Sequence, residues 1–172
     1  MRVCIITVSD RAAAGTYPDR SGPAVREFLD EVLTGSWEPV THVVPDDLKA
    51  LQDLLIQLCD VDGCSLIITT GGTGPAARDI TPDAVAAIAE RVFPGFGERM
   101  RAVSAQAKAT AMLSRQIAAS RGATLMITLP GSPGAIHECL EAVFPAIPHC
   151  IDLLGGPRLE ARSGSAEDPR HG

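Results

Sequence analysis

Aromatic side chains are scarce in this 172-residue chain, at 3% of all residues. A core built on stacked rings is excluded, so the 45% of apolar residues must pack mainly as Ile, Leu, Val and Ala. That material suits a parallel sheet covered on both faces, whose inner strands are continuous aliphatic runs. Clustered basic residues are also missing, and the net charge is -6. A nucleic-acid partner, which needs grouped Lys and Arg against phosphate, is not expected. No apolar run approaches the roughly 20 residues of a membrane span. The opening "MRVCIITVSDR" lacks a signal-peptide layout, and a cytoplasmic location is expected.

The five cysteines (Cys4, Cys59, Cys64, Cys139, Cys150) include no C-x-x-C pair, and His42, His137, His149 and His171 have no ligand spacing. Most of the cysteines are therefore expected to act as small buried hydrophobes, with no zinc site. The length fits one domain that buries roughly two-thirds of its unfolded surface.

Strand-like and helix-like segments alternate. "VCIITVS" (3–9), "EPVTHVV" (38–44), "SLIITT" (65–70) and "TLMITL" (124–129) read as strands. "PAVREFLDEVL" places Val25, Phe28, Leu29, Val32 and Leu33 at helical spacing. In "PDDLKALQDLLIQLCD", Leu48, Leu51, Leu55 and Leu58 share a face, and Asp46 or Asp47 is suited to cap it. "TPDA" signals another helix start with Thr81 as cap, and that helix is expected to continue through "AVAAIAERV" to Val92. Further helices are expected from Pro94 and over 136–154, while 109–121 fits helix or strand. The alternation predicts an α/β fold of three layers, doubly wound, with a mainly parallel sheet and helices on both faces. The domain is expected over 1–155. Residues 156–172 have little to bury and are expected to form a disordered tail.

Ligands in such folds bind beyond the carboxyl ends of the strands. Four polar loops leave that edge: "SDR" (9–11), "VPDD" (44–47), "GGTGPAARD" (71–79) and "PGSPG" (130–134). Gly71, Gly72 and Gly74 allow backbone N–H groups to converge on an anion without obstruction by Cβ. The stretch is neither G-x-x-x-x-G-K-S/T nor G-x-G-x-x-G, so a plain strand-to-helix turn stays open. Thr73 adds a hydroxyl, Arg78 a fork of donors for phosphate, and Asp79 a carboxylate. A carboxylate beside phosphates implies a divalent cation between them, and Mg²⁺ commonly takes that place. The plainer alternatives are an Arg78–Asp79 ion pair and a helix cap at Asp46. "LPGSPGA" repeats the pattern: Gly131 admits close backbone approach and Ser132 can cap the next helix. Ser114 and Arg115 could bind an anion or be ordinary loop residues.

"TTGGTGPAARDITPDA", together with "VPDD", "PGFGERMR", "LSR" and "LPGSPGA", resembles the MogA/MoaB family of molybdenum-cofactor biosynthesis over about residues 2–155. "SDRAAAGTYPDRSGPA" and "PGFGERM" favour the MogA type, which is also similar to the G domain of gephyrin. The resemblance implies a molybdopterin adenylyltransferase that moves AMP from Mg-ATP to the terminal phosphate of molybdopterin and releases pyrophosphate. It further implies a homotrimer and hand-over of product to a MoeA-type enzyme that inserts molybdate. Asp46 and Asp79 match the family's essential aspartates, acting through Mg²⁺ or substrate positioning. Gly71, Gly72, Thr73 and Gly74, with Pro130, Gly131, Ser132 and Pro133, match the nucleotide-binding side. Ser114 matches the pterin side, to which Arg115, Ser9 and Asp10 are assigned with it. Thr128 stands where many relatives carry Asn, so a contact to the nucleotide is lost or replaced there. The alternatives are a MoaB-type paralogue, or a pterin-binding scaffold with little or no adenylylation.

Overall fold

A computed structural model describes residues 1–162. Six strands form one sheet in the order β2-β1-β3-β6-β5-β4. They are β1 (Arg2–Val8), β2 (Glu38–Val44), β3 (Leu66–Thr70), β4 (Arg91–Val92), β5 (Ala118–Arg121) and β6 (Thr124–Leu129). The first four in spatial order are parallel, whereas β5 is antiparallel to both β6 and β4.

The aliphatic runs have the predicted consequence. Alternate side chains of β1, β3 and β6 point to opposite faces and feed two separate cores. Val3, Ile5, Leu66, Ile68, Leu125 and Ile127 meet α2 (Ser21–Val32), α5 (Pro94–Ala107), α6 (Pro133–Val143) and α7 (Ile147–Leu153). Cys4, Ile6, Ile67 and Met126 meet Leu51, Leu55 and Leu58 of α3 (Leu48–Asp60) and Val85 of α4 (Thr81–Ile88). Each fully buried Leu or Ile contributes about 1.5–3 kcal/mol, so these two layers dominate stability. A short helix, α1 (Asp10–Ala13), follows β1.

Two expectations about elements are corrected, and one stretch left open between helix and strand is decided. The helix expected to reach Val92 stops at Ile88, because Ala89 turns extended and β4 pairs with β5. The Glu90 N–H donates to the Ser120 carbonyl and the Phe93 N–H to that of Ala118, both at 2.8 Å. Of the open stretch 109–121, Ala109–Leu113 forms a 3₁₀ helix and Ala118–Arg121 is a strand, turned back into β6 at Gly122 with φ +54°. Thr81 does not cap α4. It is the first helical residue, and its buried hydroxyl makes no hydrogen bond.

Residues 156–162, expected in the tail, are tied to the domain at a few points, although Pro157, Arg158, Glu160 and Arg162 stay exposed. Leu159 is 4% exposed within the α2-side core, and Ala161 bridges to Leu33. The Arg162 N–H donates to Val32 O at 2.9 Å. One leucine in a polar run was too weak a signal to reveal this. The rest of the expected tail, 163–172, lies outside the described residues. Cys4 and Cys64 are buried as expected, but they are joined by a disulfide between β1 and the entry to β3. Cys139 is a buried free thiol.

Candidate active site

The chain runs from β1 out to β2 and returns to place β3 on the other side of β1. That reversal opens a crevice between the carboxyl ends of β1 and β3, where doubly wound sheets hold ligands. A cleft of about 640 Å³ lies there. Ser9, Asp46, Gly71, Gly72, Asp79, Gly131, Ser132 and Pro133 line it, so all four expected loops converge.

Two glycine loops make its floor. Gly71 and Gly72 have φ +92° and +59°. A Cβ on Gly71 would strike the carbonyl oxygen of Val8, the last residue of β1. One on Gly72 would lie 2.6 Å from Thr81 Oγ1 and 3.5 Å from Asp46 Oδ1. A Cβ on Gly131 would lie 3.5 Å from the Gly71 Cα, so the two loops are in contact. The Ser21 hydroxyl donates to Gly131 O at 2.7 Å and ties α2 to the same floor.

Asp47 caps α3 by accepting the Ala50 N–H at 2.8 Å, which leaves Asp46 to face the cleft. Asp46 and Asp10 exchange hydrogen bonds: each backbone N–H donates to the other's carboxylate, at 2.9 and 3.1 Å. Arg78 Nη2 then donates to both carboxylates, 2.8 Å to Asp46 and 3.0 Å to Asp10. Hydrogen bonding to Asp46, then the charges of Asp46 and Asp10, push the Arg78 guanidinium further into its charged form. The Arg78–Asp79 ion pair considered from sequence is not formed. Asp79 instead accepts the Ala76 N–H of its own loop at 2.9 Å.

Other expected residues fall elsewhere. Thr73 is buried and its carbonyl accepts the Arg115 N–H. Arg115, expected to face ligand, is committed to the protein. Its guanidinium bonds Gly74 O at 2.9 Å, Asp79 O, and both oxygens of Asp83 at 2.8 and 2.9 Å. It therefore clasps both limbs of the glycine loop to the start of α4. Thr128 is a strand rib, its hydroxyl accepting from Ile117 N and donating to Ile117 O. Ser132 is at the N-cap position of α6 but makes no side-chain capping bond. Ser9 caps α1 through the Ala12 N–H.

Ser114 and Pro130 line a second hollow of about 350 Å³, with Ser104, Lys108 and Gln116. The Ser114 hydroxyl is buried there without a partner. Ser132 lines both hollows, whereas Ser9 lines only the first, so the residues assigned together to the pterin side are divided.

Tyr17, Asp19 and Arg20 in the loop after α1, and Ser21 at the start of α2, also line the cleft, and none of them was expected from the sequence. Asp19 is the loop's organiser, accepting from the Thr7 hydroxyl and from the N–H groups of Ser21 and Gly22. The signal available was the length of that loop at a strand's carboxyl end.

Among the described residues no three His, Cys, Asp or Glu side chains cluster for a metal. Asp46 and Asp79 nonetheless both line the cleft, and each uses only Oδ2 in the hydrogen bonds above. Mg²⁺ usually keeps its waters and takes one or two carboxylates plus substrate phosphates, so the residues fit that ion rather than a closed cage.

Comparison with known proteins places these observations in context. Residues 4–149 match the family model described as "Probable molybdopterin binding domain". The molybdopterin adenylyltransferase of Helicobacter pylori strain 26695 is 48% identical over 160 residues, covering 93% of this chain and 91% of that protein. That of Escherichia coli K12 is 43% identical over 172 residues, covering 93% and 88%. The crystal structure of the molybdopterin biosynthesis enzyme MoaB from Thermus thermophilus superposes with a TM-score of 0.83 at 42% identity. It covers 91% of this chain and 98% of that one.

Proposed function

This chain belongs to the family of probable molybdopterin binding domains that serves molybdenum-cofactor biosynthesis, and from that premise we propose that it is a molybdopterin adenylyltransferase. The observation that carries the reading is the floor of the cleft. Two touching glycine loops, with positive φ at Gly71 and Gly72, lie at the sheet's reversal point beside Asp46 and Asp79. The Gly71 N–H is spent on the Leu129 carbonyl, so what such a floor offers phosphate is close approach to a backbone free of Cβ atoms.

ATP places its phosphates over Gly71, Gly72 and Gly74, with Gly131, Ser132 and Pro133 on the opposite side. Molybdopterin takes the second hollow at Ser114, and its terminal phosphate reaches across Ser132 into the cleft. A phosphate oxygen of molybdopterin attacks the α-phosphorus of ATP. The bond from that phosphorus to the α–β bridging oxygen breaks, and pyrophosphate leaves with its electron pair. The attacking group already carries negative charge, so no protein nucleophile or base is needed. Positioning and charge neutralisation supply the rate. Asp46 and Asp79 would hold Mg²⁺, which when bound neutralises phosphate charge. Three chains of 18.0 kDa associate as a homotrimer of about 54 kDa, to be checked by light scattering. The adenylylated product passes to a MoeA-type molybdate-insertion enzyme in the cytoplasm, where ATP is plentiful. No helix among the described residues is long and apolar enough to cross a membrane.

Pyrophosphate release from Mg-ATP, with and without molybdopterin, is the test. Release that requires molybdopterin and is lost in Asp46→Asn supports the transferase. Molybdopterin binding without release would leave a pterin-binding scaffold instead.

A further inference from the structure

We propose that Arg78 is a built-in stand-in for the cation: its guanidinium holds the Asp10–Asp46 carboxylate pair in the substrate-free protein and transfers to phosphate when Mg-ATP enters. The proposal deepens the adenylyltransferase reading and rests on it.

One nitrogen, Arg78 Nη2, lies 2.8 Å from Asp46 Oδ2 and 3.0 Å from Asp10 Oδ2, a place where positive charge satisfies two carboxylates at once. The Asp46 side chain is only 8% exposed. A carboxylate that enclosed is costly without a cation beside it. Arg78 itself is 62% exposed, as a group free to leave must be. The other cleft-lining arginines, Arg11 and Arg20, lie over the Tyr17 ring at 5.5 and 5.7 Å.

The anchoring of the loop makes the exchange local. Arg115 pins the carbonyls of Gly74 and Asp79, and Asp79 holds the Ala76 N–H. The backbone on either side of Arg78 is fixed while its side chain can swing. Arg78 belongs to the loop whose Gly71 and Gly72 line the cleft, so a small rotation carries its donor fork toward phosphate bound there. Asp46 then exchanges a guanidinium for a metal ion, and the arginine exchanges a carboxylate for a phosphate. Neither charge is left alone. Asp10 becomes part of the cation seat rather than a pterin contact.

The mechanism predicts shifts of opposite sign in Arg78→Gln that clearly exceed those in Arg20→Gln, which removes the same charge from the cleft but from a guanidinium lying over Tyr17; equal shifts in the two variants overturn it. Binding of Mn²⁺ alone is followed by loss of the free-ion paramagnetic resonance signal, and Mg-ATP binding by calorimetry. In Arg78→Gln, Mn²⁺ alone binds about fivefold tighter than in wild type, the scale of a partly exposed ion pair removed. Mg-ATP binds about fivefold weaker or worse, because a charge-assisted phosphate contact is missing. Adding Asp46→Asn to Arg78→Gln abolishes the gain for Mn²⁺. Unchanged Mn²⁺ affinity, or both ligands weakened together, overturns the proposal. Both tightened overturns the transfer to phosphate. Should Arg78→Gln fail to fold, Arg78→Lys keeps the charge without the fork and predicts a smaller Mn²⁺ gain with the same loss for Mg-ATP. A wild-type protein that binds Mg-ATP but never releases pyrophosphate with molybdopterin refutes the transferase reading, and the Mn²⁺ comparison still stands.

Discussion

Replacing Gly71 with alanine tests whether the floor of the cleft is as tightly specified as its geometry implies. Two costs add. The φ of +92° lies outside the comfortable range of an L-residue, worth about 1–2 kcal/mol. The new methyl also meets the Val8 carbonyl, which cannot move without shifting the end of β1 and its ladder to β2 and β3. Overpacking of that kind adds about 1–3 kcal/mol. Gly63 is the internal control, because its φ is +64° yet a Cβ there would meet nothing within 4 Å. Gly63→Ala should therefore cost only the backbone component, about 1 kcal/mol, against about 3–4 kcal/mol for Gly71→Ala. At about 2–4 °C per kcal/mol for a chain of this size, the melting temperatures should fall by about 3 °C and 10 °C. Gly72→Ala belongs between them, since its obstacle is a side-chain hydroxyl. Urea unfolding and differential scanning calorimetry on the three variants give the order directly. Equal losses at Gly63 and Gly71 would refute the claim that close approach, beyond backbone conformation, demands glycine at 71.

Leu159→Ala should cost about 2–3 kcal/mol by urea denaturation, the usual range for a buried leucine; a loss under about 0.5 kcal/mol would return residues 156–162 to the status of a tail. Arg115→Ala should lower stability by about 2 kcal/mol through its lost bonds to Asp83, Gly74 and Asp79. It should also weaken Mg-ATP binding by calorimetry, since the glycine loop is no longer clasped, and normal affinity would show that the clasp is dispensable. Asp60, hydrogen-bonded by Arg121, has its carboxyl held below the ordinary value of 3.8. Because the folded value is depressed, this pair stabilises the protein above about pH 4 and the contribution fades as pH falls through the folded value. Asp60→Asn should accordingly lower stability at pH 6 and lose its effect as pH falls below the folded value, as seen in urea curves; a pH-independent difference would contradict the assignment.

What could be read beforehand followed from local chemistry. The strands at 3–8, 66–70 and 124–129 announce themselves because burial on both faces demands an unbroken aliphatic run. A helix cap at Asp46 or Asp47 and the convergence of the four loops follow from strand order and short-range geometry. What escaped depends on partners distant in sequence. Arg91 and Val92 continue a helical pattern, and only the open edge of β5 turns them into a strand. Arg115 resembles a ligand residue until Asp83 and the carbonyls of Gly74 and Asp79 are seen to consume its donors. Nothing local distinguishes a solvated Leu159 from a buried one. The choice of Asp10 and Asp46, rather than Asp79, as partners of Arg78 is likewise a tertiary fact.

The contact between Gly71 and Gly131, 3.5 Å from the position of a Cβ on one to the Cα of the other, joins loops separated by 60 residues. Ser9 and Asp46 reach the same cleft from two further stretches of chain. No hairpin or helix pair contains enough of these pieces to hold a phosphate, so the site forms only when β1, β3 and β6 are already side by side. Assembly of that kind is governed by long loop closures and comes late in folding. Nucleotide binding should thus report on the finished sheet: a partly folded chain can regain most of its helical signal while remaining blind to ATP. In a refolding experiment, the return of ATP affinity would mark the moment at which the crevice closes.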